Sequence, residues 1–148
     1  MSKFGFALFL TLFLYMQNRN TFSKKEHLFG ETTVDLLYEK GLSLFLYPYR
    51  LMFRLVDDEE VPVRCLVSAS KKRFKHAVDR NHLKRQMREA YRLNKHSLFS
   101  FLENNGQHLH LAIHFVGDKI ESSAFMQKKM IQLLSKLEKQ LQQKEESR

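Results

Sequence analysis

Cysteine occurs once in these 148 residues, at Cys65. No intramolecular disulfide framework can form, which fits a reducing compartment. The cysteine and histidine spacings of zinc sites are also missing. Tryptophan is absent, while phenylalanine is abundant at 13. No apolar run reaches the roughly 20 residues that a spanning helix needs; the run from Phe4 to Met16 has 13. Neither an internal repeat nor a domain boundary is visible, so the chain is read as one domain with a modest core. Hydrophobic residues make up 43%, which excludes wholesale disorder.

Lys3 followed by Phe4–Met16 has the length of a signal-peptide apolar region, but Gln17-Asn18-Arg19-Asn20 follows, with no small-x-small cleavage site. The preferred reading is an apolar extension over 1–15 that lies upstream of a true start at Met16. A membrane-associating extension ranks second and a signal peptide last.

Acidic residues are scarce in one stretch above all. Lys71 to Lys95 carries ten basic residues against two acidic ones, a net +8 in a chain whose total is +9. The remainder is nearly neutral, and the pI is about 9.7. Charge concentrated this way is the footprint of a polyanion partner. Nucleic acid leads, and an anionic membrane surface is the rival.

The patterning gives an α+β domain in the order α-β-β-(β)-α-β-α. Ser23-Lys24-Lys25-Glu26 has capping-box spacing. Glu31–Lys40 reads as a helix stopped by Gly41. Leu44–Val56 reads as one strand with Pro48 at an edge or bulge. Val61–Ser68 reads as a second strand, joined to the first as a hairpin through the acidic turn Asp57–Glu60. Ala77–Leu93 is helical, Asn104-Asn105-Gly106 is a turn, and His108–Val116 alternates as a strand with Leu109, Leu111, Ile113 and Phe115 inward. Ser122 or Ser123 caps a last helix, expected to fray from Gln140, so that 142–148 is a polar tail.

On a helical wheel of 3.6 residues per turn, Leu83, Met87, Ala90 and Tyr91 form a packing stripe. Asn81, Lys84, Arg85, Arg88, Arg92 and Lys95 form an adjoining cationic stripe. Lys84/Arg88 and Arg88/Arg92 are like-charge pairs four apart, each destabilising by a few tenths of a kcal/mol. Tolerating that cost points to phosphates against this face, where arginine can bind bidentately.

Ala77-Val78-x-Arg80-Asn81-x-x-Lys84-Arg85-x-x-Arg88-Glu89-x-x-Arg92 resembles the motif of the bacterial ribonuclease P protein subunit. Ser70-Lys71-Lys72-Arg73-Phe74-Lys75 is similar to its lysine-rich lead-in, with Lys75 where many members have glycine. Glu31–Gly41 and Tyr47-Pro48-Tyr49-Arg50 are similar to the family's first helix and the start of its first strand. The likeness spans 21–141. It implies an α/β sandwich whose motif helix makes a left-handed crossover between parallel strands. It also implies a cytoplasmic partnership with a catalytic RNA that removes the 5′ leader of precursor tRNA. Catalysis, with magnesium, would then reside in the RNA, and no metal would be bound by the protein alone.

On that resemblance Arg80, Asn81, Lys84, Arg85, Arg88 and Arg92 contact the catalytic RNA, chiefly its phosphates, and Lys72, Arg73 and Lys75 extend the contact or reach metal-linked phosphates. Tyr38, Tyr49 and Phe53 are the candidates for stacking a single-stranded leader in a cleft between the first helix and the sheet, or else they are core aromatics. The residues themselves offer no protein active site. Asp57-Asp58-Glu59-Glu60 reads as a solvated turn, and His108, His110 and His114 as an exposed polar strand face. His76 and His82 read as surface residues, and Cys65 as a small buried hydrophobe. The alternative function is a non-catalytic RNA-binding protein, of ribosomal or RNA-chaperone type, using the same helix. A DNA-reading helix pair is disfavoured because a strand precedes the basic helix. A membrane-surface protein anchored by Phe4–Met16 is the remaining rival, and no stable membrane association is expected.

Overall fold

The structure, a computed structural model, describes Gly5, residues 21–57 and residues 59–147. The expected start at Met16 and, Gly5 apart, the apolar run before it lie outside the described residues, as does Asp58. A 3-10 turn at Lys24–Glu26 is followed by α1 (Glu31–Lys40), β1 (Leu42–Leu46), β2 (Tyr49–Val56), β3 (Val63–Ala69), α2 (Ala77–Asn94), α3 (His96–Asn104), β4 (His108–Phe115) and α4 (Ser123–Glu146). Among the described residues no helix is long and apolar enough to cross a membrane.

Gly41 ends α1 as its position predicts. Its N–H donates to the Leu37 carbonyl at 2.8 Å, and a Cβ there would overlap that oxygen. The expected single strand Leu44–Val56 is two antiparallel strands, with Leu46 opposite Tyr49. Pro48 lies in the tight turn between them, after a cis Tyr47–Pro48 peptide bond. Proline has no N–H to give a ladder, so the strand breaks there and reverses.

The expected hairpin between β2 and β3 does not form. The sheet order is β1-β2-β4-β3, with β4 antiparallel to β2 and parallel to β3. β4 is the most buried strand, with Leu109, Leu111, Ala112 and Ile113 all out of water, and it takes an interior place with both faces covered. The parallel β3–β4 pair is connected through α2 and α3. The sequence pattern assigns no element between Leu93 and Asn104; α3 is held there by Leu98 and Leu102, four apart and both buried. Ser122 caps α4 as expected, its Oγ accepting from the Phe125 N–H at 3.2 Å. The helix does not fray at Gln140 but runs to Glu146. Leu141 anchors this last stretch in the core, and Glu145 accepts from Gln107.

The sheet has two unlike faces. One carries Tyr49, Leu51, Phe53, Leu109, Leu111, Ile113 and Phe115, packed with α2, α3 and α4 in the main core. The other buries Ala112 against Leu28 and Leu37, with Met52 and Leu66 beside them, under α1. Past α1 this second face stays partly open.

Candidate nucleic-acid interface

The packing stripe of α2 is as the wheel predicts: Leu83, Met87, Ala90 and Tyr91 are all buried. That fixes the helix rotation, and the opposite flank faces outward. Asn81 and Arg85 are exposed, and Lys84 and Arg88 half-buried. None of these four side chains has a hydrogen-bond or ion-pair partner among the described residues. They form a row of four donor groups in helical register with nothing among the described residues to satisfy them.

The other motif residues are engaged within the protein. Arg80 Nη1 donates to the Phe74 carbonyl at 2.8 Å and the Lys75 carbonyl at 2.9 Å. Arg80 thus ties the lysine-rich lead-in to the first turn of α2, while Phe74 is buried against Phe115. The lead-in turn also closes through the Phe74 N–H to the Ser70 carbonyl at 3.0 Å. Lys72 and Lys75 project outward, and Arg73 pairs with Asp118 at 2.7 Å on the surface. Arg92 makes a two-pronged contact with Glu89, Nη2 to Oε1 at 2.5 Å and Nε to Oε2 at 3.1 Å. That bond holds the Glu89 carboxyl below its usual range.

Lys95 is the clear departure from the cationic stripe. It is 1% exposed, with Nζ donating to the Thr21 carbonyl and to Glu26. Helical spacing puts it beside Arg88 and Arg92, but α2 ends at Asn94. The N-terminal strap, residues 21–29, closes over it there.

The leader candidates divide. Tyr38 is 43% exposed, and its hydroxyl meets His114 Nε2 at 3.0 Å, the rings stacked 5.6 Å apart. Tyr49 and Phe53 do not belong to that surface. Both are fully buried on the opposite face of the sheet, and the Tyr49 hydroxyl donates to the Met126 carbonyl at 2.9 Å. Strand alternation explains it. With Tyr49, Leu51 and Phe53 inward, Arg50 and Arg54 must face the other way.

On that α1 side a transverse row runs Phe45, Arg50, His114, Ser68 across β1, β2, β4 and β3. Phe45 is 57% exposed, and a shallow cleft of about 440 Å³ lies among Ser43, Phe45, Arg50, Arg73 and Val116. Sequence reasoning missed Phe45, Arg50 and His114. The period-2 pattern of Tyr49-Leu51-Phe53 was the signal that could have found Arg50.

The histidine face of β4 is not the exposed polar surface the spacing suggests. His110 is buried and bonds Glu59 at 2.7 Å, and Glu59 also accepts from Arg64 Nε at 2.5 Å. The acidic run is therefore not simply a solvated turn, because Glu59 folds inward onto Arg64 of β3 and His110 of β4. Burial alone would raise its carboxyl, but Arg64 and His110 outweigh that and hold it below the usual range. Burial, with Arg50 adding, pushes His114 below the ordinary histidine value. Cys65 is buried as expected, and burial drives its thiol up. Among the described residues no group of three or more His, Cys, Asp or Glu is placed to hold a metal.

The chain is similar to known proteins in sequence and in fold. The family model described as Ribonuclease P matches residues 22–143. A ribonuclease P protein component from Porphyromonas gingivalis is 36% identical over 116 residues, 75% of this chain and 85% of that protein. One from Chlorobium phaeobacteroides is 34% identical over 115 residues, 72% and 79% of the respective chains. The Staphylococcus aureus RNase P protein superposes with a TM-score of 0.62 at 19% identity, covering 74% of this chain and 93% of that one. The Thermotoga maritima RNase P protein gives 0.56 at 20% identity, covering 75% and 96%. At such identities the two structures speak to the fold, a mixed α+β domain on a four-stranded sheet.

Proposed function

This chain belongs to the ribonuclease P protein family, and from that premise we propose that it binds the catalytic RNA of ribonuclease P through α2 and the single-stranded 5′ leader of precursor tRNA through the α1 side of the sheet. It assists endonucleolytic removal of the leader, leaving a 5′-phosphate on the mature tRNA. The observation that carries this reading is the row Asn81, Lys84, Arg85 and Arg88, ordered by a buried packing stripe yet without partners among the described residues. Three cations and an amide with no counter-charge paired to them among the described residues suit a string of phosphates. Lys72 and Lys75, steadied by the Arg80 tether, extend the row at its N-terminal end. Arg73 and Arg92 carry exposed acidic partners that an RNA phosphate can replace.

The leader is read as lying over Phe45, Arg50, Tyr38 and His114. Rings interleaved with a guanidinium are the usual means of holding an unpaired strand. The chemistry is assigned to the RNA, where bound magnesium would supply an activated water and stabilise the leaving oxygen. The chain's own residues bind and position. We place the complex in the cytoplasm, with precursor tRNA as substrate.

Reconstitution tests the reading. The full chain is added to the catalytic RNA of its own organism at low magnesium, and leader cleavage is followed on a precursor tRNA. Restored cleavage is expected. Binding without any stimulation would favour a non-catalytic RNA-binding protein instead.

A further inference from the structure

The strap ahead of α1 is docked with more care than a connecting segment requires. Glu26 is buried against Lys95, and its Oε2 accepts from the Ser23 N–H at 2.9 Å. His27 bridges to Cys65 at the β3 edge, where the Leu28 N–H donates to the Cys65 carbonyl at 3.0 Å. Leu28 is buried. Phe22 stacks on His27 with centroids 4.1 Å apart and meets Tyr91 edge-on at 5.4 Å. Docking of this kind fixes the positions of rings that are themselves only partly covered.

Two adjoining clefts open along this strap, and His27 lines both. The first, about 350 Å³, lies among Phe22, His27, Arg85, Arg88, Glu89 and Arg92. The second, about 450 Å³, lies among Lys24, Lys25, His27, Phe29 and Arg64. Phe29 is 69% exposed, a large apolar ring left in water. Arg64 is steadied by Glu59, and among the described residues Lys25 has only an exposed contact to Glu60 at 3.5 Å. The surface therefore mixes cations and rings on both sides of His27: Phe22, Arg85 and Arg88 in the first cleft, Lys24, Lys25 and Phe29 in the second. A duplex RNA presents phosphates but no base faces to such rings, whereas an unpaired strand presents both.

We propose that the strap and the adjoining flank of α2 form a track for an unpaired segment of RNA, with bases stacking on His27 and Phe29 and phosphates held by Arg85, Arg88 and Lys24. The inference rests on reading the chain as a ribonuclease P RNA binder, and it adds a single-stranded component to what α2 engages. The track lies at the β3 edge beside α2, apart from the Phe45–Arg50 cleft. It predicts that base stacking, not phosphate contact alone, contributes to affinity.

The test uses the full chain, a labelled oligouridine of twelve nucleotides and an RNA duplex of the same length, with leader cleavage measured in parallel. Stacking contributes about 1–3 kcal/mol per base, so the double variant His27→Ala, Phe29→Ala should bind the oligouridine at least tenfold more weakly. Its salt slope should be unchanged and its duplex affinity nearly so. His27→Phe, which keeps a ring, should bind the single strand like the parent. Thermal melting of each variant establishes that it is folded. Equal loss on single strand and duplex, or no loss on either, would overturn the track. If cleavage stimulation by the parent chain is present and the ring variants bind normally, the track alone is wrong. If stimulation is absent while the ring variants lose single-strand binding, the track stands and the function needs revision.

Discussion

Lys95 closes the C-terminal end of α2 by inserting its ammonium beneath the strap, against the Glu26 carboxylate and the Thr21 carbonyl. Both side chains are almost wholly removed from water, at 1% and 8% exposure. The Phe99 ring lies 4.9 Å from the same nitrogen. A buried pair of this type gains little over apolar replacement, but losing one partner strands a charge. Glu26→Gln should therefore destabilise the fold by about 3–5 kcal/mol, and the double replacement Glu26→Leu, Lys95→Met should cost much less. Urea unfolding of the singles and the double checks this. Additive losses would contradict it.

Tyr49 looks, by composition, like part of an aromatic RNA cleft, but it stands in the core. Tyr49→Phe removes the hydroxyl's bond to the Met126 carbonyl and should cost about 1 kcal/mol. Tyr49→Ala should cost about 3–5 kcal/mol. Under conditions where the Phe variant is folded, binding of precursor and mature tRNA should both match the parent, which a filter-binding assay reads directly.

Glu59 links the acidic segment to β3 and β4 through Arg64 and His110. Its carboxyl has a lower pKa folded than unfolded. The stability it contributes is present above the unfolded value of about 4.3. It is lost as pH falls through the lower folded value. Unfolding free energy measured from about pH 6 down to about pH 3 should fall more steeply in the parent than in Glu59→Gln. The variant should also be weaker at neutral pH by about 1–3 kcal/mol, since the buried His110 and Arg64 lose an ionised acceptor.

His114 sits at the centre of the proposed leader surface, and burial first, then Arg50, lowers its pKa. NMR titration should give a midpoint below the ordinary value of about 6.5. The unfolded chain takes up a proton there before the folded one does, so the His114 contribution to stability is lost as pH falls from about 6.5 toward that midpoint. Arg50→Ala should raise the midpoint without bringing it back to the ordinary value, because burial remains. A midpoint unmoved by the substitution would remove Arg50 from contact with this site.

What could be read from sequence was local. Leu83, Met87, Ala90 and Tyr91 set the rotation of α2, Gly41 ended α1, and Ser122 began α4, because each depends on neighbours within a turn or two. What could not be read depended on contacts distant in sequence. Insertion of β4 between β2 and β3 is a choice among sheet orders that no strand announces alone. Lys95 continues the cationic spacing of Arg88 and Arg92, and only the strap, 69 residues away at Glu26, turns it inward. Likewise β4's histidines have the spacing of an exposed face, and Glu59, 51 positions from His110, makes one of them a buried partner. On α2 the wheel separated the buried stripe from the outward flank. It did not separate Arg80, used to tether the lead-in, from Arg85 and Arg88, left outward.

The salt dependence of binding to the catalytic RNA tests the central claim, that the outward flank of α2 takes RNA phosphates. Each phosphate contact adds about 0.9 to the slope of log affinity against log salt on a duplex, and about 0.7 on a single strand. The parent chain should show a steep slope, and Arg85→Ala, Arg88→Ala should flatten it by about 1.4 to 1.8 while melting like the parent. A double variant that binds more weakly with an unchanged slope, or binds as well as the parent, would contradict the claim.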